Sequence, residues 1–372
     1  MNNINYFTAS YEESRTEFRK LLELVKRKWP NAELTTTSIG RDEDNTIDTI
    51  YAEAIDSNNQ VVFLTCGEHG IEGYAGAAVI RMFTEKYLNQ INPAVTGICL
   101  IHALNPWGMK NYRRVTENNV DLNRNCFYHP DSIPLDINQN YEEQKELFLP
   151  NGKVKDIKKE KTDLYHQLSR GMADQGYQGI KKAKGMGQYE FKKGVYYGGV
   201  IEEESTAYLK QMQREILSTF PHVVHMDWHT ALGPEKEVTL VISEHEPRSE
   251  EEIKEDYKLE NIQKYSPKKV KGDSTNHFYK LKNEEFPDTQ LFSALFEFGT
   301  FGADREAELR EISTIILENQ LYWEGAEREE DRQWILKELN NMFYPSEEEW
   351  RSAVMKEAQL AVESVLRKEG VI

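Results

Sequence analysis

The chain has 372 residues, 39% of them hydrophobic, and a formal net charge of -17 from 63 acidic and 46 basic side chains. So acidic a surface repels phosphate backbones and anionic lipid, which argues against nucleic acid or membrane as partner. The N-terminal stretch has no apolar signal core and no run of about 18 apolar residues occurs, so a cytoplasmic location is expected.

The length allows one large α/β domain or two modest ones. Cys66, Cys99 and Cys126 form no CxxC pair and sit among apolar neighbours, so buried free thiols are expected rather than a disulfide framework. In chain order, apolar residues recur at helical spacing over 11–29 (Tyr11, Phe18, Leu21, Leu22, Val25, Trp29), and Pro30 stops the run. Strands are predicted at 33–39, 49–55 and 61–66, parted by the polar turns GRDED and DSNN. Gly67 ends the third strand, and 74–88 reads as a helix with small residues on one face. The apolar strand 97–103 opens into a long polar loop, 104–126. Residues 128–203 lack a clean period and read as an insertion of irregular loops and short helices.

Helix returns over 205–220, followed by strands at 222–227 and 237–243. The charge-rich stretch 244–288 reads as surface helix and loop, and its run EHEPRSEEEIKED as a solvated face. The last strand is 293–298, and three amphipathic helices occupy a C-terminal segment of about 304–372. Strands alternating with helices predict an α/β/α arrangement, a mostly parallel mixed sheet sandwiched by helices.

The chemistry-bearing residues fall at strand ends. VVFLTCGEHGIEGYAG puts His69 and Glu72 just past one strand, HVVHMDWHTALGP puts His229 just past another, and LFEFGT puts Glu297 at the end of a third. The loop after 97–103 carries RRVTENNVDLNRN. Ligands of an open parallel sheet bind beyond the carboxyl ends of its strands, so four segments should meet in one crevice. Two imidazoles and one carboxylate are the donor set of catalytic zinc, and an HxxE pair on a tight turn closed by a distant histidine supplies it. His102, His222 and His225 lie on apolar strands and are expected to be hydrogen-bonded core or rim groups, while Asp227 reads equally as a partner of the site or a strand-end acceptor.

CGEHGIEGYAG, NPWG, RRVTENNVDLNRN, DWHT and FEFGT together resemble the metallocarboxypeptidase superfamily of carboxypeptidase A type, which includes succinylglutamate desuccinylase and aspartoacylase. The pattern is most similar to a bacterial subgroup whose members carry no assigned function, and it extends through GQYEFKKGVYYGG and FYPSEEEWRSAV over nearly the whole chain. The resemblance implies one zinc carboxypeptidase-like catalytic domain over 1–372. It implies zinc held by His69, Glu72 and His229, with Glu297 as the base that takes a proton from the attacking water. Arg114 would stabilise the oxyanion, with Arg113 as fallback. Asn123 and Arg124 would bind a substrate carboxylate, and Asp121 would fix the tautomer of a ligand histidine. The family's lid tyrosine has two candidates here, Tyr265 and Tyr279. The expected reaction is hydrolysis of an amide or peptide bond in a small carboxylate-bearing substrate, a short peptide or, alternatively, an N-acyl amino acid. A binding protein that merely keeps the fold would be expected to lack Glu297 or Arg114.

Overall fold

QVVFLTC and TGICLIH are apolar on both faces, a pattern that suits strands covered by helices on either side. They form β3 (Gln60–Cys66) and β4 (Thr96–His102) at the centre of a single eight-stranded sheet. The others are β1 (Glu33–Ser38), β2 (Thr46–Ala52), β5 (His222–Ala231), β6 (Val238–Ile242), β7 (Asn261–Lys264) and β8 (Gln290–Gly299), in the order β1-β2-β4-β3-β5-β8-β6-β7. Strands β4, β3, β5 and β8 run parallel, β2 and β6 join this block antiparallel, β1 pairs antiparallel with β2, and β7 pairs parallel with β6. The computed structural model describes residues 3–129, 138–174, 177–265 and 271–372.

Successive side chains of a strand face opposite sides, and each side has its own apolar layer. Val62, Leu64, Val224, Met226 and Trp228 pack with the helices Tyr11–Lys26, Gly73–Lys86 and Glu348–Lys368. Val61, Phe63, Cys99 and Val223 pack with the helices Glu204–Thr219 and Ser274–Glu285. The α/β/α layering is the one expected, and all three cysteines are buried and free. Among the described residues no helix is long and apolar enough to cross a membrane.

The differences have local causes. Strand β2 begins three residues earlier than its apolar pattern suggests because Asp48 is buried inside it, paired with Arg19 Nε at 2.5 Å. In the insertion, 157–174 forms one long helix, Ile157–Asp174, rather than short pieces, and it packs against the helix Arg305–Glu324. Its buried Ile157, Leu164 and Leu168 mark a narrow apolar stripe that lysines hide in sequence. Residues 130–137 and 175–176 of the insertion lie outside the described residues. The stretch 244–288 also contains a strand, β7, which is four residues long and too short for an alternation to show. Nor is its acidic run wholly solvated, since Glu246 is buried between Arg248 and Tyr279.

Candidate metal centre and its cavity

Gly67 leaves β3 at φ +74°, the left-handed turn that glycine adopts without strain, and the chain enters a short 3-10 turn, Gly70–Glu72. Gly70 has no room for a side chain, because a Cβ there would stand 2.2 Å from the carbonyl carbon of Gly108. That close approach lets two loops join: Gly70 N–H donates to Arg114 O and Ile71 N–H to Arg113 O. The turn carrying His69 and Glu72 is thereby stitched to the arginine loop.

His229 arrives from the sheet. It lies within β5 rather than past its end, because pairing with β8 continues to Ala231 and Gly299. Period-two alternation puts His225, Asp227 and His229 on one face, linked by a run of hydrogen bonds. Ser293 Oγ meets His225 Nδ1 at 2.8 Å, and His225 Nε2 meets Thr65 Oγ1 at 3.0 Å. Thr65 then donates to Asp227 Oδ1 at 2.7 Å, and Asp227 Oδ2 faces His229 Nε2 at 2.8 Å. This settles Asp227 as the partner that orients His229.

Both rings present Nδ1 to Glu72. His69 Nδ1 is 2.9 Å from Oε1, and His229 Nδ1 is 3.1 Å from Oε2, which also accepts from Thr230 N–H. Each Nε2 faces another carboxylate, Asp121 at 3.2 Å for His69 and Asp227 for His229. Zinc with bonds of about 2.0–2.2 Å needs tetrahedral donors roughly 3.3 Å apart, and ligand histidines give their other N–H to an acceptor. The donor set fits zinc on both counts. A neighbouring acidic group, Glu68, Asp227 and His229, shares that ring through Nε2, the nitrogen Asp227 already engages, so it supports this centre and is no second one.

Charge is finely divided here. Burial opposes ionisation of Glu72, yet the His69 and His229 imidazoles outweigh it and hold the carboxyl well below its usual range. Burial likewise opposes ionisation of Asp121, and Arg114 and then Arg124 overcome it. Arg114 donates from Nη1 to Asp121 Oδ2 at 2.5 Å, while its Nη2 stands 2.7 Å from His69 Nε2. With a single proton on the ring, Nε2 either donates to Asp121 or accepts from Arg114. A metal on Nδ1 selects the first.

A cavity of about 520 Å³ opens over this centre, lined by His69, Glu72, Arg114, Asn123, Arg124 and Glu297, with Tyr196 and Tyr265 on its walls. Glu297 is the register partner of His229 across β5 and β8. It is 8% exposed, and its Oε2 has no hydrogen-bond partner among the described residues. Burial, helped by Glu72 and opposed by His229, pushes its carboxyl up to about 8. Asn123 Oδ1 and Arg124 Nε are also buried without partners among the described residues. The Tyr196 hydroxyl on the same wall is a fourth; buried polar atoms are rarely left so, and four on the wall of one cavity mark a place for a polar ligand.

Arg113 is excluded as the fallback. Its guanidinium pairs with Glu318 at 2.6 Å and lies 3.6 Å from the ring centre of Tyr322, away from the cavity. Tyr279 does not line the cavity, and its hydroxyl donates to the buried Glu246, whereas Tyr265 lines the cavity. His102 bonds Ser14, His222 bonds Glu369, and both serve the core or rim as expected. Tyr196 lines the cavity, although the aromatic residues of GQYEFKKGVYYGG read in sequence more as loop packing than as cover for the cleft, and sequence reasoning missed Glu68, which burial and then Asp227 push up to about 8. The spacing HxDxH on one strand face was a usable signal for Asp227, while for Tyr196 the aromatic content of its loop left packing and cover of the cleft both open.

A profile of the family described as "Protein of unknown function (DUF2817)" matches residues 7–357. No curated protein matches the chain. Among solved structures, the chain is similar to bovine thrombin-activatable fibrinolysis inhibitor, solved with tick carboxypeptidase inhibitor, at 12% identity and a TM-score of 0.47, covering 97% of this chain and 99% of that one. It is similar to carboxypeptidase A from Helicoverpa armigera at 11% identity and a TM-score of 0.46, covering 97% and 73%. The corresponding values for a metallo-carboxypeptidase from Burkholderia cenocepacia are 12%, 0.44, 93% and 67%.

Proposed function

The chain belongs to the family described as protein of unknown function (DUF2817), and we propose that it is a zinc-dependent hydrolase of amide bonds in small, carboxylate-bearing substrates. The observation that carries this is the convergence of His69, Glu72 and His229 at a cavity lined by His69, Glu72 and the buried Glu297, whose Oε2 has no hydrogen-bond partner among the described residues. A metal held by the three donors supplies Lewis acidity, polarising a carbonyl and making water a nucleophile at neutral pH.

The chain's own groups do the rest. Glu297, with a high proton affinity and an Oε2 that has no partner among the described residues, takes the proton from the attacking water and passes it to the leaving amine. Arg114, fixed by Asp121, faces the carbonyl oxygen as it gains charge. Arg124 and Asn123 receive the substrate carboxylate, a planar anion matched to a guanidinium fork. A volume of about 520 Å³ suits a dipeptide or an N-acyl amino acid, so carboxypeptidase-like cleavage of a short peptide is the leading reaction. Deacylation of an N-acyl amino acid uses the same groups. Amine release from dipeptides and from N-acetyl and N-succinyl amino acids separates the two. Hydrolysis should vanish on chelation and return with zinc; a zinc-loaded protein that cleaves none of them and does not bind the carbonyl analogue acetohydroxamate would overturn the proposal.

The arginines should differ in when they act. A carboxylate keeps its charge throughout the reaction, so Arg124→Ala should chiefly raise KM, by about tenfold to a hundredfold, the loss of a charged hydrogen bond. Blocking the substrate carboxylate as an amide should then cost the wild type far more than the variant. Arg114→Lys keeps a partner for Asp121 while losing the fork, and its effect should fall on kcat, by ~10²-fold. Kinetics on a matched acid and amide pair check both, and an unchanged kcat in Arg114→Lys would remove Arg114 from the transition state.

A further inference from the structure

Residues 195–197 of the insertion are tied down on every side. Val195 N–H donates to Phe148 O, and Val195 O accepts from Tyr141 Oη at 3.0 Å. Tyr196 O accepts from Gln188 N–H at 3.0 Å, and Tyr197 O accepts at 2.7 Å from the N–H of Asp121, the residue that faces His69. Between these ties Tyr196 is held at φ +57°, the left-handed region that a β-carbon resists. Its side chain is 3% exposed and lines the cavity, and its hydroxyl has no hydrogen-bond partner among the described residues.

A left-handed tyrosine and a buried hydroxyl without a partner both cost stability; the backbone ties offset the first, and no group among the described residues offsets the second. The charged groups around the phenol are Glu311, which is tied to Lys184, then Arg114, Asp121 and Arg124. Burial first, and Glu311 next, hold its ionisation above the ordinary tyrosine range although both arginines act the other way. The hydroxyl therefore keeps its proton at neutral pH and is available as a donor into the cavity.

We propose that Tyr196 is a catalytic residue whose hydroxyl donates to the carbonyl oxygen of the bond being cleaved, the oxygen that Arg114 also faces. This rests on the hydrolase reading above. The arginine contributes charge and the phenol a neutral, directed hydrogen bond from a rigid support, so the insertion supplies chemistry as well as cover.

Tyr196→Phe deletes only the oxygen. Because that oxygen has no partner among the described residues, zinc content and Tm should hold at or above wild type. On whichever amide of the panel the wild type cleaves, kcat should fall about tenfold or more with KM within roughly twofold. An unchanged kcat, a loss confined to KM, or a Tm lowered by several degrees would each overturn the assignment. Should no amide be cleaved, calorimetric titration of the zinc-loaded proteins with acetohydroxamate decides instead. Binding about fivefold weaker in Tyr196→Phe supports the contact, and equal binding overturns it. A wild type that neither cleaves nor binds fails the hydrolase reading itself, and Tyr196 with it; a working wild type matched by the variant fails Tyr196 alone.

Discussion

His229→Ala protein should emerge from dialysis with less than roughly a tenth of the wild-type zinc and no measurable amide hydrolysis, since a catalytic site has only three protein donors to lose. The substitution removes more than a ligand. His229 stands between Glu72 and Asp227, so both carboxylates lose a partner in a buried place, and Tm should fall along with metal content. Asp227→Asn tests the support separately, because it leaves all three donors and weakens only the hold on Nε2. Its zinc affinity should drop by about 10- to 100-fold, the usual cost of losing such a partner, with the fold intact. Proton and metal compete for Nδ1 of His229, whose proton affinity is high because Asp227 and Glu72 outweigh burial, so zinc should be released on acidification. Metal analysis and chelator competition measure all of this, and near-complete zinc retention in His229→Ala would dismiss the site.

What the sequence made legible was set locally. HxxE on a glycine-flanked turn, and Asn123 and Arg124 in an Asx-rich loop, lie where chain direction alone carries them toward the strand ends. What stayed hidden depends on distant partners. Arg113 and Arg114 are neighbours of one chemistry, and partners that include Glu318, 205 residues further on, and Tyr322 hold the first away from the cavity. Tyr265 and Tyr279 were equivalent until Glu246 engaged one of them. The apolar run of β5 ends in sequence at Asp227, yet pairing with β8 carries the strand on to Ala231, because Asp227 and His229 are satisfied by one another. The particular place of Tyr196 was hidden for the same reason. Its left-handed backbone is imposed by Gln188 and by hydrogen bonds to either side of it, none of which its own sequence announces.

Glu297→Gln should retain the full zinc content and lose at least ~10²-fold in kcat, the scale on which a general base acts. The amide matches the carboxylate in size and keeps an oxygen for the Leu232 N–H, so the cavity should hold its shape. The pH response follows from the direction of the shift. Burial raises this carboxyl from 4.5 to about 8 in the metal-free protein, so the folded state keeps a proton that the unfolded chain has already released. The contribution of Glu297 to stability therefore declines as pH rises from about 4.5 toward 8, where its unfolded form binds fewer protons than its folded one. Glutamine has no proton to lose. The metal-free variant should match the wild type near pH 4.5 and exceed its Tm progressively as pH rises, a gain in stability accompanying loss of function. Activity depends on the opposite form. The base must be ionised, so the wild-type rate should climb with pH along an acid limb, which a cation at the neighbouring donors draws below 8. The residual rate of Glu297→Gln should lack that limb. Melting curves of the metal-free pair and pH–rate profiles of the zinc-loaded pair read the two effects independently. Zinc lost together with the carboxylate would instead make Glu297 a ligand, and the division of labour around the cavity would have to be redrawn.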